Sequence, residues 1–311
     1  MSSNGAVIPA STALMLRIRQ VLLSRTAAAV PWIAPVYLLV LTLLVLPGLY
    51  VLWLSFHAST FGKAPVFNGL TNYFTVLSDP YLWRAMRNTA LIIIVIVHAE
   101  LLLGLGLALL FASGLPGRRF MLAAVIAPYA VSEVSAAVVW RYLFDAEAGP
   151  VNLALLAIGL PPLEWSMNPN HGLLVISLLS IWLHLPFTFL ILYAARLAIP
   201  GEMYEAAKVD GAKTWQIFRR ITLPLLWPAI LIAMLFRYIF VFRMFSEVWL
   251  MTGGGPARTT EVVGVYLYLE AFRFNAFGAA SATGWIMVVL SLLLGTGYLW
   301  ALRRESSRRA T

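Results

Sequence analysis

Six long apolar runs alternate with short polar segments along the chain, at roughly 32–56, 89–111, 120–144, 173–197, 225–250 and 277–302. About 20 apolar residues at 1.5 Å each cross a hydrocarbon layer about 30 Å thick, so each run predicts one transmembrane helix. A helix is required because backbone N–H and C=O groups find no partner in lipid. The pattern thus predicts an all-α integral membrane protein with six transmembrane helices. Residues 1–31 form an N-terminal tail, 32–302 a six-span domain and 303–311 a C-terminal tail. The first run is too long for a signal-peptide core and has no small-residue cleavage site behind it, so it is expected to remain as an anchor.

Composition supports this class: 61% of the residues are hydrophobic, only 11% are charged, and the mean hydropathy is +0.85. A water-soluble domain this apolar could not cover its own surface. The net charge of +9 does not point to nucleic acid, because the basic residues flank the apolar runs, where they set topology. With the N-terminus inside, fourteen of the 22 Lys and Arg fall on the cytoplasmic side and five outside. That asymmetry predicts both termini in the cytoplasm, and with them the polar insert between spans four and five, residues 198–224. The absence of cysteine excludes disulfides, thiolate metal sites and cysteine nucleophiles.

The insert carries the sharpest local pattern. After the breaker Pro200-Gly201, Glu205, Ala206 and Ala207 favour a helical turn, and Gly211 supplies the positive φ that reverses the chain. A second helix follows, with Trp215 and Phe218 spaced to share one face, and Leu223-Pro224 is expected to start span five. A compact knob joined to two membrane helices suits force transmission; an amphipathic segment resting on the lipid surface has the same pattern.

Glu205-Ala206-Ala207, three residues, Gly211, nine residues, then Ile221-x-Leu223-Pro224 resembles the signature loop of the transmembrane subunits of binding-protein-dependent ABC importers. Within that group the chain is similar to sugar-importer permeases related to the first maltose-transport subunit and to glycerol-phosphate uptake. Supporting stretches are Leu70 to Tyr73, Trp140 to Phe144 with Gly149 to Asn152, and Thr252 to Pro256 followed by Tyr266, Tyr268, Ala271 and Phe272. The resemblance implies a type I ABC importer permease architecture in a prokaryotic inner membrane. It also implies four kinds of partner besides the lipid bilayer: a second homologous permease, a cytoplasmic ATPase dimer holding ATP and Mg, an extracytoplasmic solute-binding protein, and a small sugar substrate. On this reading Glu205, Ala206, Ala207, Asp210, Gly211, Ile221, Leu223 and Pro224 couple to the ATPase. The chain itself has no Gly-x-x-x-x-Gly-Lys-Ser/Thr loop and is expected to bind no cofactor.

Ionisable residues inside the spans mark partners or wet cavities. Span five carries Arg237, Tyr238, Arg243, Ser246 and Glu247, with Arg243 and Glu247 one helical turn apart and expected to neutralise each other. Span three has Tyr129 and Glu133, span two His98 and Glu100, span four His184. The resemblance implies substrate contacts on span five, so Tyr238, Phe240, Val241, Arg243, Met244 and Glu247, with Glu133, are the candidate substrate path. The same residues suit interhelical pairing and packing equally well. Gly104 and Gly106 are expected to allow close helix approach, and Pro186 and Pro228 to kink their spans.

His57, His98, His171 and His184 are scattered, without the His-Glu-x-x-His spacing of a metalloprotease, and no metal site is expected. The competing function is an ion-coupled secondary transporter of a small polar solute, using carboxylates such as Glu100 and Glu133. It would show paired broken helices or inverted repeats, and the sequence displays none to the eye.

Overall fold

A computed structural model describes the backbone of residues 25–310 and the side chains of residues 31–298. The chain divides into two units, one ending at Leu54 and the other beginning at Ser55. The described residues of the N-terminal unit make one long helical run: α1 (Arg25–Val40), a wide π turn (Leu41–Val45) and α2 (Leu46–Ser55). Trp32, Leu38, Leu39, Leu43 and Leu44 are exposed on it, as expected of a span whose solvent is lipid. The one hydroxyl of the π turn is satisfied locally, Thr42 donating to the Leu38 carbonyl at 2.7 Å.

The larger unit opens with a two-residue hairpin, His57–Ala58 against Val66–Phe67, and the short α3 (Thr71–Ser78). Then comes α4 (Pro80–Ala112), started by Asp79, whose carboxylate accepts from the Tyr81 N–H at 2.9 Å, with Pro80 in the first turn. α5 (Arg118–Ile126) passes through a 3-10 turn (Ala127–Ala130) into α6 (Glu133–Leu143); α7 (Pro150–Ala157) and the long α8 (Pro169–Leu197) follow. The insert forms α9 (Gly201–Val209) and α10 (Thr214–Ile217), and a π turn (Phe218–Thr222) leads into α11 (Leu223–Phe242). α12 (Ser246–Met251), α13 (Val263–Tyr268), a third π turn (Leu269–Arg273) and α14 (Phe277–Ala310) complete the chain.

Among the described residues, five helical stretches are long and apolar enough to cross a membrane, and the bent pair at Arg118–Leu143 makes six if it is one span. The third and fifth runs depart from expectation. Run 120–144 is not one rod: its two helices meet at 101°. Val131 and Ser132 are extended between the two helices, so the chain turns there. Run 225–250 breaks after Phe242, with Phe245 non-helical. A tertiary contact holds this break: a Cβ on Gly264 would lie 2.6 Å from the Met244 carbonyl oxygen, so only glycine lets the two backbones meet.

α4, α8 and α11 form the core. Ile92, Ile96 and Val97 pack with Val175, Ile176, Leu179 and Val241, and a second cluster joins Ala108, Phe111, Phe189, Leu192, Leu226 and Ile230. Gly104 sets the α4–α8 distance, since a Cβ there would sit 3.1 Å from Thr188 Cγ2 and 3.2 Å from the Phe189 nitrogen. Gly106 meets nothing within 4 Å and plays no such part. α8 and α11 continue as single helices through Pro186 and Pro228. In lipid, where apolar surface gains little by leaving one apolar medium for another, such close packing and polar pairing hold spans together.

Candidate functional site

The two breaks create the principal cavity. Tyr129, Val131 and Glu133 line it from the α5–α6 bend, Ser180, Leu183 and His184 from the middle of α8, and Arg237, Phe240, Val241 and residues 243–247 from the end of α11 and the start of α12. Its volume is about 540 Å³. Each polar lining group is placed by an interrupted helix or by one packed against an interruption, because a continuous span would turn those side chains toward its neighbours.

Behind the wall lies a buried ion pair. Arg237 forks onto Glu100, Nη2 donating to Oε1 at 2.7 Å and Nε to Oε2, with both side chains almost fully buried. A bidentate guanidinium–carboxylate pair satisfies both charges in one plane, which low-dielectric surroundings demand. In front of it, His184 Nε2 stands 3.9 Å from Glu133 Oε1, and His184 Nδ1 lies 3.1 Å from the Ser180 carbonyl. Glu247 is 5% exposed, and ligand atoms of Glu133, His184 and Glu247 all lie within 4.8 Å of one another. Nothing in the spacing of these residues along the chain signalled that cluster. Phe240, Phe187, Phe236 and Tyr129 cluster alongside, with Phe187 edge-on to Phe240 at 6.0 Å between centroids and stacked with Tyr129 at 6.4 Å.

Of the candidate path residues, Glu133, Phe240, Val241, Arg243, Met244 and Glu247 line this one cavity. Tyr238 does not. Two residues before Phe240 it faces nearly the opposite side of the helix, and with Leu235, Ile239, Phe242, Ser291 and Tyr298 it lines an apolar cleft of about 120 Å³. The expected Arg243–Glu247 pair also fails, since among the described residues no ion pair joins them. Arg243 caps the end of α11 and Glu247 belongs to the next helix, so helical spacing does not apply. Leu183 and Val131 carried no sequence signal, being apolar residues in apolar runs.

The insert is built as a knob. At the end of α9, Gly211 adopts φ +75°, its N–H donates to the Lys208 carbonyl at 3.0 Å, and the Ala212 N–H donates to Ala207 at 2.9 Å. Those two bonds form a Schellman cap, satisfying carbonyls that the helix end would orphan. The Lys213 N–H then donates to Gln216 Oε1 at 2.7 Å, starting α10. Pro224 has no N–H for the Arg220 carbonyl, and the chain accommodates it by widening to a π turn, with Leu223 N–H bonded to Phe218. Thr214 through Phe242 is therefore one 29-residue helical element, so the helix that enters span five begins nine residues before Leu223. Tyr204 and Thr222 share a hydroxyl hydrogen bond of 3.2 Å, and the Arg196 guanidinium lies 4.0 Å over the Tyr204 ring, tying α9 to both flanking helices. Glu205, Ala206, Asp210, Val209 and Trp215 are exposed, whereas Ala207, Ile221, Leu223 and Pro224 are half-buried.

At the N-terminal end of α4, Arg258 forks onto Glu261 at 2.6 and 2.8 Å and lies 4.2 Å over the Tyr81 ring, while Tyr266 donates to Asp79 at 2.8 Å. Burial raises the Glu261 carboxyl above the usual carboxylate range, against the pull of Arg258, and raises the Tyr266 phenol. The Thr252–Pro256 segment is a turn held by Thr252 and Thr260, whose hydroxyls meet at 2.7 Å.

The profile of a family described as "Binding-protein-dependent transport system inner membrane component" matches residues 100–308. The chain is 34% identical over 268 residues to the trehalose/maltose transport system permease protein MalF of Thermococcus litoralis, covering 86% of this chain and 90% of that protein. It is 34% identical over 279 residues to the sulfoquinovosyl glycerol transport system permease protein SmoG of Agrobacterium fabrum, covering 89% and 91% respectively. In fold it is similar to a chain of a bacterial ABC transporter involved in import of the acidic polysaccharide alginate, with TM-score 0.80 at 23% identity, over 94% of this chain and 99% of that one.

Proposed function

Because this chain belongs to the family of binding-protein-dependent transport system inner membrane components, we propose that it is the membrane-spanning permease subunit of an ATP-powered importer for a sugar or sugar derivative. It forms half of the translocation path and couples to a cytoplasmic ATPase through Glu205 to Pro224. The relatives named for trehalose/maltose and for sulfoquinovosyl glycerol support a glycoside as the class of solute.

One observation carries the coupling. The 29-residue element from Thr214 to Phe242 begins in the knob and ends at the cavity wall, one continuous helical path of about 43 Å at 1.5 Å per residue. A push on Trp215 is carried along this element to Phe240, Val241 and the break after Phe242, and Tyr204, bonded to Thr222, joins α9 to it. The push must come from a ligand with unequal affinity for two states, and ATP with Mg held across a partner ATPase dimer supplies that difference. A second homologous permease completes the path, and an extracytoplasmic binding protein delivers the solute. The Lys/Arg asymmetry supports the knob and both termini lying in the cytoplasm of a prokaryotic inner-membrane protein.

Reconstitution tests this. Proteoliposomes holding the chain with its partner subunits take up the binding-protein-loaded solute only with ATP inside the face that carries the ATPase, and Gly211→Asp abolishes uptake in a complex that still assembles. Uptake by this chain alone, driven by a proton or sodium gradient, would replace the proposal with the ion-coupled transporter.

A further inference from the structure

The cavity wall gathers one imidazole and two carboxylates from three separate helices. Glu133 starts α6 after the bend, His184 projects from the middle of α8, and Glu247 lies in the first turn of α12 after the second break. Three elements far apart in the chain thus bring one imidazole nitrogen and two carboxylate oxygens within 4.8 Å of one another.

The hydrogen bonds around the cluster leave it short of positive charge. His184 Nδ1 lies 3.1 Å from the Ser180 carbonyl, which can only accept, so the ring proton sits on Nδ1 and the Nε2 lone pair points outward. That lone pair faces Glu133 Oε1 at 3.9 Å, one acceptor against another. Glu247 is 5% exposed, and Ser180, whose hydroxyl lies 3.4 Å from His184 Nδ1, lines the cavity with it. The nearest guanidinium, Arg237, already spends its fork on Glu100. Arg243 lines the cavity but forms no ion pair with Glu133 or Glu247 among the described residues.

We propose that Glu133, His184 and Glu247 form a binding site for one divalent transition-metal ion of the zinc class. A proton would satisfy one facing pair; a divalent ion satisfies all three ligand atoms and offsets both carboxylate charges. The donor set of one imidazole and two carboxylates suits zinc, and a backbone carbonyl holding the far ring nitrogen is the usual support of a metal-binding histidine. Ligand bonds of about 2.0–2.2 Å in a tetrahedral site put ligand atoms roughly 3.5 Å apart, so the cluster closes by a little over 1 Å on binding. Glu133, half-exposed at 47%, has the freedom to make that movement. The fourth position faces the cavity, and the ion bridges both helix breaks to α8.

The test uses the full chain, without a histidine tag and stripped with chelator, so that its outcome does not depend on the transport reading. Calorimetric titration with Zn²⁺ gives one ion per chain, and Co²⁺ gives the intense visible absorption of a four-coordinate site with a nitrogen ligand. His184→Ala, Glu133→Gln and Glu247→Gln each weaken Zn²⁺ binding by more than the roughly 10–100-fold that loss of an outer-shell support costs. His171→Ala leaves it unchanged. Absence of stoichiometric Zn²⁺ binding by the unaltered chain overturns the proposal, whatever the variants do. Equal affinity in the unaltered chain and all three ligand variants overturns it too.

Discussion

Replacing Arg237 with methionine removes one half of the Arg237–Glu100 pair and leaves the other charge with nowhere to go. Glu100 is fully buried and Arg237 is 2% exposed, so neither water nor another cation reaches the carboxylate without local opening. Breaking such a pair from one side costs about 3–5 kcal/mol, most of it the burden of the orphaned charge. If the contact acted only as an ordinary interhelical hydrogen bond, the loss would be about 0.6 kcal/mol. For a domain of this size, about 2–4 °C of melting temperature goes with each kcal/mol. Arg237→Met should therefore melt about 6 °C or more below the unaltered chain in detergent, against about 2 °C for the weak alternative. Glu100→Gln should behave similarly, while Arg237→Met with Glu100→Gln should be more stable than Arg237→Met alone, because no charge is left unpaired. Melting of both single variants within about 2 °C of the unaltered chain, or a double variant that melts at the sum of the two losses, would refute this account of what joins α4 to α11.

Gly211→Ala meets no atom within 4 Å, so its cost is the left-handed backbone alone, about 1–2 kcal/mol confined to the knob; hydrogen exchange should quicken in 201–217 and stay unchanged in α4 and α8. Gly104→Val pushes against Thr188 Cγ2 and the Phe189 backbone and should lower stability by about 1–3 kcal/mol, whereas Gly106→Val, facing open space, should leave the melting temperature within about 2 °C. In the assembled importer, Phe240→Ala should impair uptake and Tyr238→Phe should not, because only Phe240 lines the cavity; equal losses would move the path to the other side of α11.

The class of protein, the existence of the helices and the construction of the knob were all legible in the residues. Lipid makes helix the only open-chain solution for a 20-residue apolar run, and Gly211 with its neighbours encodes a local cap whose bonds span five residues. Local energetics of that kind are written in consecutive positions. The cavity is different. Run 225–250 is uniformly apolar up to Arg237 and holds no proline after Pro228, so nothing in it announces a break at Phe242.

Apolarity and period therefore determined that this chain crosses a membrane as helices and carries a capped knob between two of them. Which polar residues meet was decided only by the folded chain: Arg237 found Glu100 across 137 positions, and Gly264 admitted the Met244 carbonyl that holds α11 broken. Pairing of buried charges and the approach of two backbones depend on distances between helices, and a helical period along one strand of sequence contains no information about those distances.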